Sequence, residues 1–253
     1  MEKFIRAFVR EFESREETAT TFGEPIVAFA DAEHPYIRGL KELVSGEHLM
    51  PSDVMSEAKS VICYYVPFTP DLAKSNVEGT MASPRWARAY EELNALFSEL
   101  NERICLKLAE EGYKGATSAR ATSFDREKLI SDWSQRHIAY AAGLGTFGMN
   151  NMLITEKGCC GRYSSVVTDK PYEYGRPRTE EFCLYKKSGG CGICMKNCPA
   201  GAILPSGYDR KKCFALCTEN AAIHKSFGNS YGAEGSQVCG KCITGSPCAF
   251  RGF

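Results

Sequence analysis

The sequence predicts two parts: an α/β or α+β domain over residues 1–178, then a small cysteine-bound domain over residues 179–253. Three observations carry this. Strand-like and helix-like segments alternate up to about residue 170, with long connections between them. Of the 13 cysteines, only Cys63, Cys105, Cys159 and Cys160 precede residue 183; the rest fall between Cys183 and Cys248. The second part is rich in Gly, Pro, Lys and Cys and lacks regular periodicity, so it needs a metal framework to fold.

The elements follow in order. MEKFIRAFVREFESREE places Phe4, Phe8 and Phe12 at i, i+4 and i+8, with Ile5 and Val9 beside them. This predicts an amphipathic helix docked on the body. Its polar face mixes acids and bases, against a membrane-surface role, and it lacks the continuous apolar run of a secretory signal. No run reaches the length of a membrane span, so the expected setting is cytoplasmic, with no membrane partner. PIVAFADA (25–32) predicts a short strand and YIRGLKELV (36–44) a helix. SVICYYVPF (60–68) predicts a strand, being β-branched and aromatic and closed by a Pro turn. Pro84 opens a long helix with Tyr90, Leu93, Leu96, Phe97, Leu100, Ile104 and Leu108 on the helical period, stopped at Gly112. GATSARA predicts a short strand and residues 126–142 a further helix. AGLGTFGMNNMLIT and RYSSVVTD are strand-like runs flanked by glycines.

The chain has 253 residues, 43% hydrophobic and 25% charged, enough for a sizeable core. Its 31 basic and 31 acidic residues cancel, so the broad basic field of a nucleic-acid binder is absent. From Gly207 onward Arg210, Lys211, Lys212, Lys225, Lys241 and Arg251 outnumber Asp209, Glu219 and Glu234; this reads as a solvated face.

The stretch CGICMKNCPAGAI carries the most specific chemistry. Cys191-x2-Cys194-x3-Cys198-Pro199 reproduces the end of a bacterial-ferredoxin run, in which three cysteines serve one 4Fe–4S cluster and the last serves the other. The run's first ligand would fall at Ser188. Cys183 is taken as the displaced ligand, returned by the glycine-containing insert LYKKSGG. CGKCITGSPC supplies Cys239, Cys242 and Cys248. Interleaving assigns Cys183, Cys191, Cys194 and Cys248 to one cluster. Cys198, Cys239, Cys242 and one of Cys213 or Cys217 go to the other. Two structural zinc sites are the alternative, since C-x2-C pairs suit zinc; the Cys-Pro ending and the number of cysteines favour iron–sulfur. Cys63 and Cys105 read as core residues. Cys159-Cys160, in the turn GCCG, is left unassigned. Gly143, Gly145 and Gly148 lie between a helix and a strand; they read either as a helix C-cap with a tight turn or as a close backbone approach to a ligand.

At this point the order of motifs resembles the epoxyqueuosine reductases and, more loosely, the corrinoid-dependent reductive dehalogenases. The match runs through R-x-I-A-x-x-A-G-L-G-x-x-G-x-N-x-x-L-I at Arg136–Ile154, Gly161, Thr168-Asp169, Cys-Pro-Ala-Gly-Ala-Ile, the Tyr-Asp-Arg-Lys-Lys-Cys stretch ending at Cys213, and the final C-x2-C and C. Arg88 and Tyr90 resemble the family's Arg-x-Tyr. The resemblance covers roughly residues 85–250. It implies two 4Fe–4S clusters delivering electrons to cobalamin in the first domain, with a carboxylic acid supplying a proton. It prefers Cys213 over Cys217 as a ligand. It also implies that Arg136, Gly145, Gly148, Asn150, Leu153, Arg88 and Tyr90 hold the corrin.

The sequence departs from the family in three ways. The position of the family's acid is Leu129; Asp125 and Asp132 are the nearby candidates, and an ordinary capping role is the alternative for both. His34, His48, His137 and His224 are the candidate axial ligands, none in a recognisable motif. The chain ends at Phe253, a short form without the family's helical-repeat region, and with zero net charge this makes a transfer-RNA substrate doubtful. The cluster spacings are altered at both ends. The expectation is a cobalamin-dependent iron–sulfur reductase, fed by an external donor such as a ferredoxin or flavodoxin and acting on a small-molecule substrate. The alternative is a non-catalytic electron carrier or a reductive activator of a corrinoid protein.

Overall fold

The structure, a computed structural model, describes residues 1–118, 123–228 and 234–253. The chain opens with α1 (Glu2–Glu13), β1 (Ile26–Asp31), α2 (Pro35–Arg38), α3 (Leu40–Leu43), α4 (Pro51–Val54), β2 (Ser60–Pro67) and α5 (Pro70–Lys74). It continues with α6 (Pro84–Glu110), β3 (Gly115–Thr117), β4 (Phe124–Asp125), β5 (Ile130–Ser131), α7 (Gln135–Ala141), β6 (Gly145–Phe147), β7 (Leu153–Thr155) and β8 (Gly161–Thr168). The cysteine-rich part holds α8 (Leu184–Ser188), α9 (Ile193–Lys196), β9 (Ile203–Leu204), β10 (Gly207–Tyr208), α10 (Arg210–Ile223) and α11 (Lys241–Thr244). Among the described residues, no helix is long and apolar enough to cross a membrane.

The main sheet has strand order β1-β2-β8-β3, and each pairing is antiparallel. Of the two layer types expected, this is α+β. Every residue of β2 is buried, because helices cover both faces. Ile62, Tyr64 and Val66 pack with Ile5, Phe8 and Phe12 of α1 and with Leu93, Leu96, Leu100 and Ile104 of α6. Val61, Cys63 and Tyr65 face Ile37, Leu40, Ile138 and Ala141. The period-2 alternation of a strand thus feeds two cores. The N-terminal helix docks as its spacing predicts.

Two element assignments are corrected. The helix expected over 126–142 shrinks to α7, and residues before it form the β4–β5 hairpin. The Asp125 carboxylate accepts the backbone N–H groups of Glu127 and Lys128, both at 2.8 Å, and this local bonding competes with a helical start. Leu129, at φ 55°, completes the turn. The helix expected over 36–44 is two short helices divided at Gly39. The strand expected in GATSARA is β3; the end of that stretch, residues 119–121, lies outside the described residues.

The cysteine-rich part shares the first core: Phe182, Cys183, Val238, Ile243 and Ala249 belong to the same cluster as α1 and α6. Buried polar groups fix this docking. Asn76 donates to the Cys239 carbonyl at 2.9 Å and accepts from Ser83 N at 2.9 Å. The buried Lys241 amine donates to the carbonyls of Asn76 at 3.0 Å and Glu78 at 2.6 Å. Burial pushes its pKa down. Gly240, at φ 76°, lies against Trp86; a Cβ there would sit 2.5 Å from the indole. Replacing Asn76 by Leu should strand the Cys239 carbonyl and the Ser83 N–H and cost about 1–3 kcal/mol of stability, read as a lower denaturant midpoint.

Candidate functional site

The glycine run folds around the end of α7. Gly143, at φ 81°, donates to the Tyr140 carbonyl at 2.9 Å, and Leu144 N to that of Ala139 at 3.0 Å. This is a Schellman C-cap, which satisfies the helix's last carbonyls. The chain then runs through the β6–β7 hairpin, with Gly145 opposite Thr155. A Cβ on Gly145 would meet the Ile154 carbonyl oxygen at 1.9 Å, so this glycine serves strand pairing.

The nine late cysteines gather in two groups. Cys183, Cys191, Cys194 and Cys248 line one cavity together with Gly148, Met149, Asn150 and Ile154 of the hairpin turn. Burial raises the Cys194 thiol to about 11, and neighbouring Cys248, Cys183 and Cys191 add to the rise. The second group is Cys198, Cys213, Cys217, Cys239 and Cys242. Burial raises Cys242, reinforced by Cys239, Cys213 and Cys198. A hydrogen bond from Cys217 lowers Cys213 to about 6, helped by the Tyr208 hydroxyl and Arg136. A hydrogen bond from Cys159 lowers Cys248 to about 6. The groups are interleaved in sequence: Cys198 leaves the run that supplies the first, and Cys248 returns to it. Two residues that spacing did not reveal join the site. Cys159 lies 3.8 Å, sulfur to sulfur, from Cys248, and Ser246 Oγ lies 3.3 Å from the same sulfur. GCCG signalled a thiol pair, but its neighbour across the fold had no sequence signature.

The remaining candidates are placed apart. Arg136 is half-buried and bonds the Asn151 carbonyl. The Asn150 amide spans Met152 N and Cys159 Sγ. Leu153 is buried, and its carbonyl accepts from the Tyr163 hydroxyl at 2.6 Å. Tyr90 lies under the Arg162 guanidinium, 4.3 Å from carbon to ring centre. Arg88 lines a different cavity of about 520 Å³ with Thr20, Thr21, Thr69, Arg85 and Phe227. Of the nominated residues, Gly148 and Asn150 line the cavity of the first cysteine group, and Arg136 lies near Cys213 of the second. Asp125 caps its turn, and the backbone N–H of Lys128 leads in pulling its pKa down. Both Asp132 oxygens accept from Ser123 at 2.8 to 2.9 Å. In these positions both acids cap turns.

Each histidine has a local role. His34 Nδ1 accepts from Tyr36 N at 3.1 Å. His48 bridges Leu49 O and Ser134 N. His224 bonds Ala82 O at 2.8 Å. His137 pairs with Ser134 Oγ at 2.6 Å and packs on Phe147. Burial, then Arg136, His48 and Arg210, push its pKa from 6.5 to about 4. Between these values the unfolded chain takes the proton more readily, so this contribution to stability is complete above pH 6.5 and is lost as pH falls toward 4. His137→Gln should flatten that part of the stability–pH curve, measured as denaturant midpoint against pH.

No family model matches the chain. It is similar to the epoxyqueuosine reductase of Listeria monocytogenes, 26% identical over 209 residues, covering 78% of this chain and 48% of that protein. It is also similar to that of Bacillus cereus, 33% identical over 117 residues, covering 43% and 29%. The chain spans about half the length of the longer of these matches. Among solved structures, the epoxyqueuosine reductase of Streptococcus thermophilus superposes with a TM-score of 0.52 at 16% identity, covering 98% of this chain and 66% of that one. A reductive dehalogenase described in terms of B12-dependent dehalogenation gives 0.52 at 16% identity, covering 74% and 26%. By sequence the chain is similar to the epoxyqueuosine reductases, and it shares their fold and that of a reductive dehalogenase.

Proposed function

We propose that the chain is an iron–sulfur oxidoreductase in which two 4Fe–4S clusters carry electrons, one at a time, toward the β6–β7 hairpin. One observation carries this reading: the late cysteines sort in space into two groups interleaved in sequence, as in two-cluster ferredoxins. Cys183, Cys191, Cys194 and Cys248 would hold the first cluster. Cys198, Cys213, Cys239 and Cys242 would hold the second, with Cys217 beside Cys213. The thiols fit such groups. Four line one cavity, and the buried Tyr65 hydroxyl next to Cys159, Cys160 and Cys248 has no partner among the described residues.

Two structural zinc sites are the alternative, since C-x2-C pairs suit zinc. The Cys-Pro ending and the number of cysteines favour iron–sulfur.

The cluster when bound supplies one-electron transfer. The chain's own part is to hold the thiolates, with Ile154 and Pro247 lining the cavity of the first group, and to accept electrons from an external donor of ferredoxin or flavodoxin type. The thiolates suit a reducing, cytoplasmic setting. Zero net charge supports a small substrate over transfer RNA.

Four of the seven residues expected to hold the corrin have other commitments in the fold. Gly145 and Leu153 are committed to the hairpin, Arg136 is bonded inside the chain, and Arg88 faces another cavity. This favours a second reading, in which the chain is an electron carrier or reductive activator acting on a corrinoid partner. Anaerobic titration with cobalamin, followed by visible absorption, should then show no binding by the chain alone; a bound-corrin spectrum would overturn that.

Anaerobically purified protein should contain about eight irons and eight sulfides per chain; zinc in their place ends the cluster proposal. Cys198→Ala should abolish the second cluster's electron paramagnetic resonance signal and spare the first. Selective loss of the signal from the cluster of Cys191 would show the ligand sets to be wrong.

A further inference from the structure

We infer that Cys159 is a positioning residue for the first cluster: its thiol donates a hydrogen bond to Cys248 Sγ and so raises that cluster's reduction potential. The inference rests on the cluster reading above, and goes beyond it by giving a role to a cysteine outside both ligand sets.

The geometry points one way along a short relay. Cys159 N donates to the Cys248 carbonyl, and Cys160 N to that of Ala249, both at 2.9 Å, which holds the two cysteines side by side. Gly158, at φ 82°, permits this approach; a Cβ there would meet the Ala249 carbonyl oxygen at 2.2 Å. The buried Asn150 uses its Oδ1 to accept Met152 N at 3.2 Å, which turns its Nδ2 toward Cys159 Sγ at 3.8 Å. With its sulfur accepting from Asn150, the Cys159 hydrogen is directed at Cys248 Sγ, 3.8 Å away.

A second observation is independent of that pair. The Tyr65 hydroxyl is fully buried and has no hydrogen-bond partner among the described residues. It lies beside Cys159, Cys160 and Cys248, and the tip of its ring abuts Gly161, where a Cβ would come within 2.6 Å. A buried donor without an acceptor is costly, and a cluster's sulfurs would supply one. Cys159 and Tyr65 are thus two buried donors near Cys248. One-electron reduction by an external carrier adds one negative charge, spread over the cluster and its thiolates, with no bond made or broken in the protein. Donors to those sulfurs stabilise the reduced form.

The test is a redox titration of the anaerobic, full-length protein, followed by electron paramagnetic resonance. In Cys159→Ala, one of the two midpoint potentials should move negative by about 59 mV, the equivalent of a tenfold change in the one-electron equilibrium; the other should stay, and iron should remain at about eight. Tyr65→Phe, which removes only the hydroxyl, should move the same potential in the same direction. Cys159→Ser, which restores a donor, should fall between alanine and the parent. Loss of about four irons in Cys159→Ala would make Cys159 a ligand and overturn the inference. So would an unmoved potential, or a serine variant no closer to the parent than alanine. Parent protein without iron defeats the cluster reading itself, before any substitution is compared.

Discussion

The docking of the cysteine-rich part depends on a handful of buried polar contacts around Asn76. This loop residue, sequestered from water, binds the Cys239 carbonyl with its side chain and the Lys241 amine with its own carbonyl. Lys241 lies between Cys239 and Cys242 in sequence, so the contact that attaches this part also orients two thiols of the second group. Burying an ammonium is expensive unless its hydrogens find acceptors, and here the Asn76 and Glu78 carbonyls supply them. Ala82 N accordingly finds Asn220 Oδ1 at 2.6 Å, and the Ala87 carbonyl finds Ser236 Oγ at 3.1 Å. The start of α6 is therefore a socket lined with polar partners, and Trp86 is its apolar floor.

Much of the fold was legible because two periods are strong. Every residue of SVICYYVP is buried between two helical layers, and the apolar row from Leu93 to Leu108 has one helical face to fill. Residues 126–134 were misread for an identifiable reason: helical composition was overridden by a single carboxylate, Asp125, satisfying two backbone donors of a turn. Segments so short are governed by side-chain capping, which a periodicity does not register.

The site divides along the same line. Cysteine spacing is local chemistry, so the grouping of Cys191 with Cys194, and of Cys239 with Cys242, could be read from the chain. The closeness of Cys159 and Cys248 could not, because it is created by backbone pairing between residues 89 positions apart. The glycines allowed two readings, and for Gly143 and Gly145 the structure carries that of a helix C-cap followed by tight strand pairing. The resemblance transferred the pattern faithfully; what the pattern does depends on neighbours that it does not contain.

The interleaving of the two cysteine groups also bears on how the protein is made. A chain leaving the ribosome exposes every thiol of the second group, up to Cys242, before Cys248 emerges. The first group, although it begins earlier at Cys183, is the last to be complete. Its closing residue arrives with the strand-like pairing of Cys248 and Ala249 onto Cys159 and Cys160, so along the sequence the two groups are completed in the reverse of the order in which they begin.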